Sequence, residues 1–171
     1  MQELDREKDE ISAVRLRPAA LEDKPFLRQL FATTRAEELA LMPWDDNQKE
    51  TFISMQFNAQ DQQYAMSYPQ ADHNIILLKD VPIGRMMVAR NDTAISLVDI
   101  ALVPEFRNVG IGTGLIKDLL NEAAAVGKPV RLHVFVSSAA MRLYERLGFS
   151  RIGLDTAYLE MIWVPPVSRS C

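Results

Sequence analysis

The sequence predicts an α/β chain with a mixed sheet (α+β in detail): mostly antiparallel strands, one parallel crossover, and helices on the flanks. Three observations carry this. Apolar runs at 73–79, 83–90 and 95–103 are separated only by short turns, Asp80-Val81-Pro82 and Asn91-Asp92-Thr93, so they fold back as an antiparallel meander. Leu115, Ile116, Leu119, Leu120 and Ala123 then follow at helical spacing before a further strand at 130–136, and such a crossover makes the flanking strands parallel. Leu97, Val98, Ile100, Ala101, Leu102 and Val103 are nearly continuous in apolar character, as in a strand covered on both faces.

The elements follow in order. VRLR at 14–17 alternates and stops at Pro18, which reads as a first strand. Asp23 is placed to cap a helix with Pro25 just inside it, and Phe26, Leu27, Leu30 and Phe31 give that helix an apolar face as far as about Leu41. Met42-Pro43-Trp44 breaks it. Asp45 or Asp46 caps a second helix through Phe52, Met55, Gln56 and Tyr64. The meander comes next, then the glycine-rich helix, punctuated by Gly127-Lys128-Pro129. After the strand at 130–136, Ser137 or Ser138 caps a short helix that ends at a left-handed Gly148, with Phe149 as its hydrophobic contact. Strands at 151–153 and 158–164 complete the order, and Pro165-Pro166 stops regular structure.

At 171 residues the chain fits one domain, placed at 12–166 between a charged leader (1–11) and a short tail (167–171). A net charge of −4 argues against a general nucleic-acid binder. The lone Cys171 excludes an internal disulfide framework and fits a reducing compartment. The opening MQELDREKDE is no signal peptide, and no apolar run approaches the roughly 20 residues of a membrane span. Cytoplasm is the expectation, with no membrane partner.

The chemistry concentrates after the 95–103 strand. Pro104 ends pairing, Arg107 follows, and Gly110, Gly112 and Gly114 open a helix. Glycines there let the backbone approach a ligand, and the unpaired first-turn N–H groups with the helix dipole suit a phosphate. An arginine supplies charge for the same oxygens. A dinucleotide fingerprint starting at Gly110 needs glycine where Leu115 stands, and no register gives a P-loop. An unrelated βα nucleotide binder is thereby disfavoured.

What remains, V-P-E-F followed by R-x-x-G-x-G-x-G, resembles the acetyl-CoA motif of the GNAT N-acetyltransferase superfamily. A second stretch, SSAAMRLYERLGF at 137–149, resembles that family's other signature at Ala140, Leu143, Tyr144, Gly148 and Phe149, with Ser137 where the family has asparagine. The element order matches as well, over roughly residues 14–164. The resemblance implies the GNAT acyl-CoA N-acyltransferase fold and direct acetyl transfer from acetyl-CoA to a primary amine of a small molecule, peptide or protein. A catalytically silent acyl-CoA sensor or scaffold is the alternative. A homodimer is compatible with either.

By the same resemblance, the co-substrate lies against Leu102, Val103, Arg107, Asn108, Val109, Gly110, Ile111, Gly112, Thr113, Gly114, Ser137 and Tyr144. A bulge in the fourth strand would splay it from the fifth. Helical spacing alone makes Tyr144 a core residue; the resemblance makes it the general acid, and a phenol is protonated at neutral pH. His133 is a candidate base, with a strand-edge histidine as the plainer reading. Asp99, in an apolar strand, either pairs with an arginine or serves as a base. His73 reads as a surface residue at a strand start. Trp44, Asp45, Tyr64 and Tyr158 are the candidate acceptor-binding residues, with helix packing and an N-cap as the simpler account of the first two. The two histidines lack metal-site spacing, so no metal is expected.

Overall fold

A computed structural model of the chain describes residues 13–167. Seven strands form one sheet: β1 (Val14–Pro18), β2 (Asp72–Leu78), β3 (Val81–Arg90), β4 (Ile95–Leu102), β5 (Val130–Phe135), β6 (Ser150–Asp155) and β7 (Tyr158–Trp163), in the spatial order β1-β2-β3-β4-β5-β7-β6. All neighbours pair antiparallel except β4 and β5. That one parallel pair is bridged by α4 (Ile111–Val126). The first part of the chain supplies α1 (Lys24–Thr34), α2 (Ala36–Ala40) and α3 (Asp46–Ser67), and α5 (Ala140–Arg146) follows β5.

The sheet separates two cores, and β2 shows how: its side chains alternate sides. Ile76 joins Met86, Val88, Ile95, Leu97, Val130, Leu132 and Met161 under Ile116, Leu119, Leu120 and Ala123 of α4. Ile75 and Leu77 face the opposite way, against Leu27 and Phe31 of α1 and Ile53 and Phe57 of α3. The Phe31 and Phe57 rings meet at 5.9 Å. The helices therefore cover different strands on the two sides, which leaves one side of β5 bare.

The first helix is interrupted where sequence periodicity carries it on to Leu41. Arg35 has φ −108° and ψ 3°, and it divides α1 from α2. The hydroxyls of Thr33 and Thr34 donate to the carbonyls of Leu30 and Phe31, and this competition with the helical ladder stops the helix at two successive β-branched residues. Asp23 also differs from expectation, since its side chain makes no cap to α1. Its carboxylate accepts from both guanidinium nitrogens of Arg17 at 2.7 Å and from the Ala20 N–H at 2.8 Å. Asp45, by contrast, caps α3 with Gln48 in a reciprocal capping box.

The Arg17 bond, then the Ala20 N–H, hold the Asp23 carboxyl down at about 2. A depressed acid contributes stability above its ordinary range and loses it as pH falls through the folded value. Stability is therefore expected to fall between about pH 4 and pH 2, and Asp23→Asn to flatten that part of the curve. Urea midpoints of both proteins across that window check this; equal slopes would refute it. No helix among the described residues is long and apolar enough to cross a membrane.

Candidate active site

The site begins with a break in sheet pairing. β4 and β5 share only three rungs, Ile95↔Val130, Ser96↔Arg131 and Leu97↔Leu132. Immediately afterwards β4 carries an extra residue: Leu97 opposes Val88 and Asp99 opposes Met87, which leaves Val98 as a bulge. Past it the two strands part and a wedge opens. Ile100 and Leu102 pack with the α4-side core, so Asp99 and Ala101 face the α1/α3 side. On β5, Val130, Leu132 and Val134 are buried in that same α4-side core, so Arg131, His133 and Phe135 face the α1/α3 side, exposed.

At the C-terminal end of β4, the Arg107 guanidinium donates from Nε to the Leu102 carbonyl and from Nη2 to Thr33 Oγ1, each at 2.8 Å. The guanidinium for which the sequence suggests a phosphate partner thus also ties the end of β4 to α1, through Nε and Nη2. The glycine turn itself retains the features of an anion site. Asn108 and Gly110 adopt φ of 60° and 91°, conformations open to asparagine and glycine. Among the described residues, the N–H groups of Asn108 through Thr113 have no hydrogen-bond partner, and the first helical bond runs from Gly114 N–H to the Gly110 carbonyl.

On the α4 side, α5 ends at Gly148, with φ 95°, and the Phe149 N–H donates back to the Tyr144 carbonyl at 3.0 Å. This cap packs the Tyr144 and Phe149 rings edge to face at 5.7 Å. Tyr144 is 7 % exposed, and its hydroxyl has no partner among the described residues. Burial, then the charge of Asp99, pushes its phenol up to about 12. Ser137 is exposed between β5 and α5, while Ser138 Oγ accepts from the Ala140 N–H at 3.2 Å.

On the other side, Asp99 is ion-paired. Arg85 Nε and Nη2 both reach Asp99 Oδ2, at 2.6 and 2.5 Å, and Nη2 also donates to Gln60 Oε1 at 2.6 Å. The Arg85 guanidinium lies 5.6 Å from the Tyr64 ring centroid, and the residue is only 4 % exposed. Tyr64 is held protonated by burial and then by Asp99, with Tyr158 acting in the same direction. Arg85 and Gln60 escaped the sequence reading. The one available signal was an arginine inside the apolar run IGRMMVAR, since a charge there needs a partner from the neighbouring strand.

His133 is the first β5 residue past the rungs shared with β4, exposed and opposite Glu160 of β7. His73, expected at the surface, is half-buried in β2, and its Nε2 is buried without a partner among the described residues. Burial, then the Arg85 charge, pushes its imidazole below the ordinary value. The four acceptor candidates fall into two groups. Tyr64 and Tyr158 belong to the wedge, and Tyr158 meets Phe135 edge to face at 5.3 Å. Trp44 packs on Phe52 at 5.1 Å beside the Asp45 cap, at the far end of α3, roughly 28 Å away at 1.5 Å per residue. A groove of about 420 Å³ lies there, lined by Trp44, Thr51, Phe52 and Met55 among others. Among the described residues, no group of three His, Cys, Asp or Glu is placed to hold a metal ion.

A mixed seven-stranded sheet parted after a bulge, with a glycine turn at the end of the bulged strand, defines an acyl-CoA N-acyltransferase fold. A family model described as Acetyltransferase (GNAT) family matches residues 31–149, and the chain belongs to that family. No curated protein sequence matches it. Among solved structures, the PaiA N-acetyltransferase from Thermoplasma acidophilum in complex with coenzyme A is similar at TM-score 0.67 and 16% identity, over 88% of this chain and 98% of that one. The spermidine N-acetyltransferase from Vibrio cholerae in complex with CoA and spermine gives 0.60 and 19%, over 90% and 96%. A histone acetyltransferase HPA2 and related acetyltransferase structure from Corynebacterium glutamicum gives 0.62 and 20%, over 92% and 99%.

Proposed function

We propose that the chain transfers the acetyl group of acetyl-CoA directly to a primary amine. The observation that carries this reading is the wedge after Val98, with the unpartnered Tyr144 hydroxyl and the unpaired N–H groups of 108–113 beside it. Acetyl-CoA is a co-substrate here. Its phosphates suit the main-chain N–H groups of Asn108–Thr113, reinforced by the α4 dipole, and its pantetheine arm suits the edge of β4 that β5 leaves unpaired after Leu97, as far as Leu102. CoA bound in two of the similar structures supports acetyl-CoA as the co-substrate.

The acceptor enters as an ammonium and loses one proton to a base at the mouth, for which His133 and Asp99 are the available groups. The neutral nitrogen attacks the thioester carbonyl, forming the C–N bond. The tetrahedral intermediate then expels sulfur, breaking the C–S bond, and Tyr144 donates its proton to the departing thiolate. The amide nitrogen releases its second proton to solvent, from which Tyr144 is reprotonated. Amine and acetyl-CoA become acetamide and CoA.

Calorimetric titration with acetyl-CoA tests the first requirement. Gly110→Ala puts a side chain at φ 91° in the centre of the turn. It is expected to weaken acetyl-CoA binding about tenfold or more while leaving the fold intact by circular dichroism. Unchanged affinity would remove the turn from the site, and no binding by the wild type would overturn the proposal.

A further inference from the structure

On the α1/α3 side of the sheet, helical cover stops at β4. Gln60 and Tyr64 of α3 reach Arg85, but Phe135 of β5 and Tyr158 of β7 stand 46 % and 49 % exposed with their rings against one another. The wedge therefore opens on this side into a mouth with Tyr64 at one rim and the Phe135–Tyr158 pair at the other. Its charges are nearly all committed. The Arg85 guanidinium is taken up by Asp99, Gln60 and the Tyr64 ring, and Arg131 is bound by Glu160 at 3.0 Å. Two carboxylates are half-used: both Arg85 contacts fall on Asp99 Oδ2, leaving Oδ1 without a hydrogen bond among the described residues, and Glu160 meets Arg131 through Oε1 alone.

We infer that this mouth is the acceptor site, and that it takes a single primary amine on an aromatic or otherwise apolar body carrying no carboxylate, its ammonium set against Asp99 Oδ1. This rests on the acetyl-transfer reading and goes beyond it in naming the acceptor class. An ammonium gains from the free carboxylate oxygen and from ring faces nearby. An apolar body gains by covering half-exposed aromatic surface. A carboxylate on the acceptor would be desolvated with no unpaired guanidinium to receive it, because Arg85 and Arg131 already have carboxylate partners. The second ammonium of a polyamine would meet only the remaining oxygen of Glu160, already paired with Arg131, and a polyamine's backbone would cover little of the half-exposed ring surface.

The test uses protein saturated with CoA, after a CoA titration has established that complex. 2-Phenylethylamine, phenylalanine and spermidine are then titrated in turn. The expected order places 2-phenylethylamine at least tenfold tighter than either of the others. Tyr158→Ala, an exposed position that does not threaten the fold, is expected to weaken 2-phenylethylamine several-fold, and Asp99→Asn about tenfold or more. Tighter binding of phenylalanine or spermidine, or unchanged affinity in Tyr158→Ala, overturns the acceptor class while leaving acetyl transfer intact. Failure of CoA to bind overturns the acetyl-transfer reading itself and is seen at the first step.

Discussion

Replacing Tyr144 with phenylalanine is expected to lower kcat about 100- to 1,000-fold while leaving the affinity for acetyl-CoA nearly unchanged, the range general acid catalysis supplies. The ring and its contact with Phe149 persist in the variant; only the unpartnered hydroxyl is lost. Because burial and Asp99 push the phenol up to about 12, the acid stays protonated throughout the neutral range, and the wild-type rate should show no fall from its ionisation between pH 7 and 10. The same shift has a thermodynamic signature. A group whose folded value is raised contributes nothing to pH dependence below its unfolded value near 10, and stability is lost from there upward until the folded value is passed. Urea midpoints at pH 8 and pH 11.5 should therefore fall more for the wild type than for Tyr144→Phe. Tyr64, shifted in the same direction, keeps part of the slope in the variant. A variant that keeps full kcat would remove Tyr144 from the chemistry.

Gly84→Ala is expected to destabilise the protein by about 3 kcal/mol and lower Tm by roughly 6–12 °C. Gly84 pairs with Leu102, and a Cβ there would stand 2.3 Å from the Ala101 carbonyl oxygen and 2.9 Å from Leu102 Cδ2. A backbone carbonyl cannot swing aside as a side-chain tip can, so β4 itself must move at the wedge. Acetyl-CoA affinity should fall along with Tm. Thermal unfolding followed by calorimetric titration measures both, and a Tm within a degree of the wild type would show that β3 yields instead.

What could be read from sequence was what local chemistry determines. The glycine turn at 110–114, the left-handed cap at Gly148, a cap at Asp45 or Asp46 and the antiparallel meander each depend on a few adjacent residues, and the structure has them, with Asp45 as the cap. The features that were not legible depend on register or on packing between distant segments. A bulge in the fourth strand was implied by the resemblance, but its place at Val98 is set by the β3–β4 register. Asp99 was weighed as either an arginine partner or a base, but Arg85 and Gln60 meet it only once β3–β4 register and the docking of α3 are fixed. Arg107 followed the same logic, since nothing near it in sequence announces Thr33, 74 residues earlier. The length of α3 likewise separates Trp44 from Tyr64, two aromatic residues that look equivalent on the page.

The three rungs between β4 and β5 also make the molecule mechanically uneven. On one flank, β1 to β4 are laced together along most of their lengths; on the other, β5, β7 and β6 are laced the same way. Between these blocks runs a fault line, bridged by a short ladder and by α4. Partial unfolding has a natural place to start there, because few hydrogen bonds must break before one block tilts against the other. Amides along the parted stretch of β4 should exchange with solvent ahead of those in the β2–β3 ladder. Whatever molecule lodges between the blocks also acts as a wedge-stone, stiffening the protein by occupying the gap its own backbone leaves unbridged.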